Sequence, residues 1–245
     1  MPCLSNENAM QADLSYSTLD STMLEYERLR AALSDDAGLI VQAGVQRSGI
    51  GRNERFWHSP KGGLWITMDI IHPEALPSFA LYVGSCLHRL LIELYSLADL
   101  RIKWTNDIYY QEYKLAGILC KYNAAHNRYV IGIGINFNNM PDSVLDGFNG
   151  ISLKTILGFD VSLERFKRLL LRAIHARTEE LYYPQSFLAY CSEHLYGWNR
   201  FCTIDIGSGS ACGIIQGLDC MGNLLLASSD GEPIRVSHGS ILEIV

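Results

Sequence analysis

The fold class follows most directly from one stretch of the chain, Tyr129-Val130-Ile131-Gly132-Ile133-Gly134-Ile135-Asn136. Bulky isoleucines alternate here with two glycines and an asparagine, which is the two-residue period of a β-strand. One face of this strand is apolar, and the other is bare except for one amide. We therefore expect another group to approach this backbone closely.

Further strands and helices are predicted on both sides of this stretch. The strand patterns are Leu39–Val45, Leu64–Ile71, Leu100–Trp104, Ile108–Tyr110 and Leu115–Tyr122. The helical patterns are Met23–Leu33, a run from Phe79 to Leu94, Val161–Tyr183 and Ser186–Tyr196. Asp20 or Ser21 is predicted to cap the first helix through its side-chain oxygen, and Ser162 is predicted to cap the third. The result is an α+β chain.

The composition of the chain changes after Trp198. Short apolar runs alternate there with turn signals at Gly207–Gly209, Asp219–Gly222 and Asp230-Gly231. This pattern predicts a small all-β barrel over residues 199–245. Residues 1–15 are polar and predict a flexible lead-in, so residues 16–198 are left as one mixed α+β domain.

The overall composition excludes several classes of protein. The 245 residues are 48% hydrophobic with a net charge of −6, which argues against a broad nucleic-acid surface. The seven cysteines include no C-x-x-C pair, so neither a disulfide framework nor a zinc ribbon is indicated. No signal peptide and no apolar run of about 18 residues is visible, so we expect a cytoplasmic protein without membrane contact.

A glycine-containing loop, residues 46–55, follows the predicted strand Leu39–Val45. Gly49 and Gly51 allow close backbone approach, and Arg52 could hold a phosphate or carboxylate in a fork. Taken alone, this segment is explained more simply by a flexible hairpin with a solvated arginine. It is not the dinucleotide-binding fingerprint, because the third glycine and the following helix are missing.

A second polar group lies between Lys103 and Lys114. Two lysines, an amide and a carboxylate fall within a strand-like segment, although an exposed hairpin is an equal explanation of that segment alone. Arg52, Lys114 and the bare strand face all fall at ends or loops of one predicted sheet, where functional groups cluster. Glycine backbone, one arginine and one lysine suit the stabilisation of negative charge around a phosphate. The histidines lack metal-ligand spacing, and no serine lies in a G-x-S-x-G elbow.

Five blocks of sequence, in order, resemble the biotin protein ligases. The blocks are Asp20-Ser21-Thr22, Gln46-x-x-Gly49-x-Gly51-Arg52-x-x-x-x-Trp57-x-Ser59-Pro60, Lys103-Trp104-x-Asn106-Asp107, Lys114–Leu119 and Val130–Asn136. The resemblance implies a mixed-sheet catalytic domain of the class II synthetase-like, biotin/lipoate ligase type, with a small C-terminal SH3-like barrel. The chain resembles the form of this family that lacks an N-terminal DNA-binding domain, so we do not expect it to regulate transcription by binding DNA.

The same resemblance implies a two-step, AMP-forming reaction. Biotin would attack ATP to give biotinyl-5′-adenylate, and a lysine of a biotin carboxyl carrier protein would then displace AMP. The implied cofactors are ATP and Mg²⁺, with biotin as substrate. The implied partner is the carrier protein or domain of acetyl-CoA carboxylase or a related carboxylase, and a homodimer is common among relatives.

Residue roles are carried over from the family by position. Arg52 would clamp the phosphate, Lys114 would bridge the biotin carboxylate and the α-phosphate, and Asp107 would position the lysine or magnesium. The expected biotin-binding residues are Ser21, Thr22, Gln46, Gly49, Gly51 and Gly117. The expected nucleotide-binding residues are Trp57, Asn106 and Asn136.

Three residues depart from the family pattern. Ile50 replaces a basic loop residue, Met23 replaces the asparagine after Ser-Thr, and Thr105 replaces the proline after Lys-Trp. We therefore expect weaker retention of the adenylate rather than inactivity. Two alternatives stay open: a lipoate-protein ligase-like enzyme, whose Arg-Arg and Gly-Gly-Gly patterns are missing near Gly49, and an inactive relative that binds biotin or the carrier.

Overall fold

The computed structural model describes residues 12–34, 37–142, 149–228 and 231–245. The chain forms two compact units. The first contains Met1–Ala75 and Leu119–Val161, and the second contains Leu76–Ile118 and Ser162–Val245. The division between residues 198 and 199 that composition predicts stays a prediction.

Strands and helices are numbered here in chain order. The strands are β1 (Ala12–Tyr16), β2 (Leu39–Ala43), β3 (Leu64–Ile71), β4 (Leu100–Lys103), β5 (Asp107–Tyr110), β6 (Tyr113–Asn123), β7 (Arg128–Ile135), β8 (Phe201–Asp205), β9 (Ser210–Leu218), β10 (Leu224–Ala227), β11 (Pro233–Val236) and β12 (Ser240–Ile244). The helices are α1 (Thr22–Arg30), α2 (Phe79–Tyr95), α3 (Leu153–Leu157), α4 (Leu163–His175) and α5 (Gln185–Glu193).

The first unit is built on a mixed sheet with the strand order β1-β2-β3-β7-β6. β1 pairs with β2 in parallel, and β3 pairs along its whole length with antiparallel β7. Helix α1 covers part of this sheet, since Met23 and Tyr26 form one buried cluster with Leu39, Val41 and Val130. About 25 cal/mol per Å² of apolar surface buried in such a cluster favours the folded state.

β1 includes residues 12–15, which the sequence placed in the flexible lead-in. Its residues are largely exposed, so no apolar alternation marks it as a strand. Backbone pairing with β2 holds it instead, from Ala12 opposite Leu39 to Tyr16 opposite Ala43. Hydrogen bonding to a neighbouring strand leaves no signal in hydropathy.

The second unit contains the antiparallel strands β4, β5 and the first half of β6. Helix α2 packs against β4, α4 and α5, which explains why most of its residues are buried. The predicted helix Val161–Tyr183 is wrong beyond His175, where the chain passes into a 3-10 helix at Thr178–Tyr182. A 3-10 turn keeps a near-helical period, and Leu181 within it is buried, so the apolar pattern hides the change.

The C-terminal residues of the second unit form a separate five-stranded antiparallel sheet, in the order β11-β10-β9-β8-β12. Alternate residues of these strands are buried, including Cys202, Ile204, Ile215, Leu224 and Leu226. The prediction of a small all-β element after Trp198 is confirmed. None of the helices in the described ranges has the length and apolar character needed to cross a bilayer.

Candidate active site

In the first unit, Thr22 and Gln46 are in direct contact at the start of α1. Oε1 of Gln46 accepts hydrogen bonds from the backbone N–H of Thr22 at 2.8 Å and from its hydroxyl at 3.1 Å. Nε2 of Gln46 donates to Oγ of Ser59 at 2.7 Å. All three residues are buried, so the amide of Gln46 is held in a single orientation.

Ser21 occupies the N-cap position of α1, but its side chain makes no capping bond. The N-cap is Ser21 and not Asp20, and the capping bond expected from its oxygen is absent. Gln46 accepts from the first N–H of the helix, that of Thr22. Oγ of Ser21 is buried and has no hydrogen-bond partner among the described residues. An unpaired buried hydroxyl costs about 1–3 kcal/mol, so this atom is available to a ligand.

The glycine-containing loop folds back on itself as a hairpin. The backbone N–H of Gly51 donates to the carbonyl of Arg55, and that of Trp57 donates to the carbonyl of Gly49, each at 2.8 Å. A methyl group at Gly49 would collide with the carbonyl oxygen of Trp57 and lie 2.8 Å from Oγ of Ser59. The close approach predicted at Gly49 is therefore that of the loop to its own return segment.

Arg52 lies at the tip of this loop, where it begins a short 3-10 helix, Arg52–Glu54. The next two residues, Asn53 and Glu54, have φ angles of 52° and 57°. Left-handed backbone outside glycine costs about 1–3 kcal/mol and concentrates at ligand clamps. The loop tip beside Arg52 therefore has the strained backbone that is common at binding sites.

The group that approaches the bare face of β7 is the indole of Trp57. A methyl group at Gly134 would lie 2.5 Å from Nε1 and 2.8 Å from Cε2 of Trp57. Only glycine permits this contact, because real Cβ atoms essentially never approach another atom so closely. Two elements of the predicted nucleotide site, the loop and β7, are thus joined within the first unit.

Asn136 follows β7 directly and is buried. Its Oδ1 accepts a hydrogen bond from Nδ2 of Asn139 at 2.9 Å, and Oδ1 of Asn139 accepts one from the backbone N–H of Phe137. Nδ2 of Asn136 has no partner within the part of the chain that the structure describes. A fixed, unpaired amide donor suits recognition of an acceptor such as a ring nitrogen.

Met23, one of the departures from the family pattern, belongs to the core of the first unit. It is buried in the cluster beneath α1, and its Sδ would lie 3.0 Å from a methyl group at Gly132. The second bare position of β7 is therefore filled by a thioether, a flexible group that adapts to irregular space. The substitution of asparagine by methionine is accommodated as apolar packing.

In the second unit, Lys114 and Asp107 form an ion pair with 2.9 Å between Nζ and Oδ2. The two side chains are 13% and 19% exposed, so water screens the pair only in part. They lie on the paired strands β6 and β5, beside a register shift between Ile108 and Tyr109. Oδ1 of Asp107 is buried and lacks a hydrogen-bond partner among the described residues, so it can accept from a ligand or bind a cation.

Asn106 and Gly117 lie beside this ion pair. Nδ2 of Asn106 donates to the carbonyl of Ile118 at 2.7 Å, and the backbone N–H of Ile118 donates to the carbonyl of Asn106 at 2.9 Å. Gly117 is opposite Asp107 in the β5–β6 register. Asn106 therefore stabilises the strand pair that carries the ion pair, and its contact with a base stays a prediction.

Sequence reasoning noted Lys103 without giving it a role, and it missed Thr67. Lys103 pairs with Asp107 in register and lies 4.6 Å from the ring centroid of Tyr109, and burial lowers its pKa below the usual range of lysine. Thr67 is fully buried on β3 and donates to the hydroxyl of Thr22 at 2.8 Å. The only signal for Thr67 was a hydroxyl within an apolar strand.

The sequence profile of the Biotin/lipoate A/B protein ligase family matches residues 14–138. The Bifunctional ligase/repressor BirA of Escherichia coli (strain K12) is 32% identical over 212 residues, which cover 82% of this chain and 64% of that protein. The Biotin--[acetyl-CoA-carboxylase] ligase of Paracoccus denitrificans is 28% identical over 229 residues, covering 88% of this chain and 94% of that protein.

Among solved structures, the biotin protein ligase from Aquifex aeolicus in complex with biotin and ATP has a TM-score of 0.82 at 23% identity. The match covers 95% of this chain and 97% of that chain, and it shows the same fold. The chain spans 64%, 50% and 37% of the length of the first three curated relatives.

Proposed function

Because the chain belongs to the Biotin/lipoate A/B protein ligase family, we propose that it is an ATP-dependent biotin protein ligase. It would activate biotin as biotinyl-5′-adenylate and transfer the biotinyl group to a lysine of a carrier protein. Relatives that carry this name match most of the chain, including one from Paracoccus denitrificans over 88% of it. The acceptor would be the carrier domain of acetyl-CoA carboxylase or a related carboxylase.

One observation carries the proposal: of the buried polar atoms that lack partners among the described residues, three belong to residues that the resemblance places against substrate or the reacting groups. They are Oγ of Ser21 for the biotin ring, Nδ2 of Asn136 for the base and Oδ1 of Asp107 near the reacting groups. Native structures pair about 90% or more of their buried polar groups. Unpaired atoms at these positions favour a site that is completed by its ligands.

The first step requires positive charge beside the phosphate. An oxygen of the biotin carboxylate attacks the α-phosphorus of ATP, and the bond to the pyrophosphate oxygen breaks. Negative charge develops on the phosphoryl oxygens, so Lys114 would stabilise the bridging oxygens and Arg52 would hold the phosphate. The ion pair with Asp107 keeps Nζ of Lys114 in one place before the substrate arrives.

In the second step, the acceptor lysine amine attacks the acyl carbon, AMP leaves, and the amine loses a proton. The adenylate must survive until the carrier binds. A loop closed over the phosphate would exclude water. The hydrogen bonds of Gly49 and Gly51 hold this loop as a hairpin. Ile50, in place of a basic residue, removes one cation from this loop and weakens retention.

Magnesium would enter with ATP. The described residues contain no cluster of three or more His, Cys, Asp or Glu side chains. Mg²⁺ commonly uses one or two carboxylates together with substrate phosphates, and Asp107 offers one buried oxygen of this kind. When bound, the ion would neutralise phosphate charge. A cytoplasmic location and a homodimer are retained as predictions.

Transfer of labelled biotin tests the proposal. The purified chain is incubated with Mg-ATP and a biotin carboxyl carrier domain, and labelled lipoate is offered in a parallel reaction. The expected result is ATP-dependent label on the carrier with biotin alone. Label with lipoate alone would favour a lipoate ligase, and biotin binding without transfer would favour an inactive relative.

A further inference from the structure

Lys103 is a partly buried cation beside the ion pair of Lys114 and Asp107. It lies directly opposite Asp107 in the antiparallel register of β4 and β5. Residues that are directly opposite in such a pair carry their side chains on the same face of the sheet. Asp107 therefore faces two cations, Lys103 from β4 and Lys114 from β6.

The ammonium of Lys103 has few partners in the protein. The described residues give Nζ one hydrogen-bond acceptor, the hydroxyl of Tyr109 at 3.3 Å, and no carboxylate within 4 Å. Burial lowers the pKa of Lys103 below its usual value, the charge of Asp107 raises it, and the charge of Lys114 lowers it further. An ammonium carries three donors, and withdrawing it from water without a counter-ion is unfavourable. An anionic ligand would supply the missing charge and acceptors.

Two aromatic rings confine this ammonium. Nζ of Lys103 lies 4.6 Å from the centroid of the Tyr109 ring and 5.7 Å from that of Tyr196. Both tyrosines are buried, and their ring centroids are 4.9 Å apart. A cation within about 6 Å of an aromatic face is attracted by the ring quadrupole. The rings therefore restrict a side chain that is otherwise a flexible four-carbon stem.

Tyr196 is itself held from two sides. Its hydroxyl donates to Oε2 of Glu112, and Arg200 donates to the other oxygen, Oε1, at 3.2 Å. The backbone N–H of Tyr196 donates to the carbonyl of Ile102 in β4 at 2.9 Å. Side-chain and backbone contacts together fix the Tyr196 ring against β4, the strand that carries Lys103.

We propose that Tyr196 is a positioning residue of the active site, which confines the ammonium of Lys103 so that this second cation binds a phosphate oxygen of ATP beside Lys114. Tyr196 lies outside every block of sequence that carries the family resemblance. It would act through Lys103 without touching the substrate. Its role rests on the adenylation step of the proposed function and is independent of which acid is activated.

The test measures kcat/KM for ATP in biotin-dependent exchange of pyrophosphate into ATP. Lys103→Met should lower this value about 10²-fold, as expected for the loss of one donor to the phosphoryl oxygens. Tyr196→Leu should lower it about 5- to 30-fold, the range of one buried cation–π contact, with the KM for biotin unchanged. Tyr196→Phe keeps the ring and should stay within about threefold of the intact chain.

A double-mutant cycle separates positioning from packing. In the Lys103→Met background, Tyr196→Leu should have no further effect on kcat/KM, because the group that it positions is gone. Equal effects of Tyr196→Leu in both backgrounds would overturn the proposal. A Tyr196→Phe variant as slow as Tyr196→Leu, or a raised KM for biotin in place of the effect on ATP, would also overturn it. If Tyr196→Leu does not fold, the cycle is made with Tyr196→Met, whose flexible side chain fills irregular space.

Tyr190 provides the matched control, since it is another ring of the second unit that carries a cation. Cζ of Arg89 lies 3.6 Å from the centroid of the Tyr190 ring. Tyr190→Leu should lower the melting temperature and leave kcat/KM for ATP unchanged. If Tyr190→Leu lowers kcat/KM as much as Tyr196→Leu does, loss of any packed ring in this unit slows the enzyme, and the specific role of Tyr196 is refuted.

Equilibrium binding of ATP distinguishes the role of Tyr196 from the proposed function. If the intact chain binds ATP but catalyses no exchange with biotin, the proposed function fails, and the same cycle measured on the Kd for ATP still decides the role of Tyr196. If the intact chain catalyses exchange but the two substitutions are additive, only the role of Tyr196 fails. If the intact chain neither binds ATP nor catalyses exchange, both fail.

Discussion

A methyl group at Gly134 should disable the nucleotide side of the site without unfolding the protein. In Gly134→Ala the new carbon would lie 2.5 Å from Nε1 and 3.1 Å from Cζ2 of Trp57. Carbon atoms pack best at about 3.5–4.0 Å, so the indole must move by about 1 Å. Overpacking of this size costs about 1–3 kcal/mol, which is about 5- to 150-fold in affinity if Trp57 supports the adenine.

Gly132→Ala is the matched control, because Gly132 lies on the same face of β7 two residues away. A methyl group there would lie 3.0 Å from Sδ of Met23, a flexible thioether in the apolar cluster beneath α1. We expect this variant to lower the melting temperature slightly, because Met23 must repack, and to leave the KM for ATP unchanged.

The assay is biotin-dependent exchange of pyrophosphate into ATP, measured against ATP concentration, with thermal melting of each variant alongside. The expected pattern is opposite for the two substitutions: a raised KM for ATP in Gly134→Ala and a lowered melting temperature in Gly132→Ala. An unchanged KM for ATP in Gly134→Ala, or equal effects of the two variants, would refute the role of the Trp57–Gly134 contact.

Other variants probe the rest of the molecule. Lys114→Ala should lower kcat for pyrophosphate release about 10²- to 10³-fold in a burst assay, and Arg52→Gly should release the adenylate, seen as labelling of lysines on unrelated proteins. Burial lowers the pKa of His88 from 6.5 to about 4. As the pH falls, this residue is therefore protonated in the unfolded chain before it is protonated in the folded chain, and the free energy of unfolding decreases between pH 6.5 and pH 4. The difference is about 3 kcal/mol, and urea unfolding of His88→Gln should lose this dependence. Gly222→Ala, at φ 83° with its methyl 2.7 Å from Cβ of Ser78, should cost about 1–3 kcal/mol in the same urea assay.

Much of the secondary structure could be predicted from periodicity. The strand Leu64–Ile71 and the start of α2 at Phe79 were predicted at the residues where they occur. These elements are long and bury one or both faces, so burial leaves a regular apolar pattern in sequence. β1 and the break after His175 were missed, because backbone pairing and 3-10 geometry do not alter that pattern.

The order of the polar residues along the chain indicated the family, but not how those residues meet. The bare face of β7 predicted a close approach, and only the folded chain shows that Trp57 is the group that makes it. Ser21 was placed correctly at the start of α1, whereas the hydrogen bond from the N–H of Thr22 to Gln46, 24 residues away in sequence, is visible only in the fold.

The sequence by itself determined the strands, the small C-terminal β element and the residue types suited to phosphate chemistry. Tertiary structure alone decided the ion pair of Lys114 with Asp107 and the directed hydrogen bonds from Thr67 through Thr22 to Gln46. The physical reason is the range of each effect. Periodic burial is a local property of each segment, whereas a hydrogen bond or ion pair requires two distant segments to meet in one register.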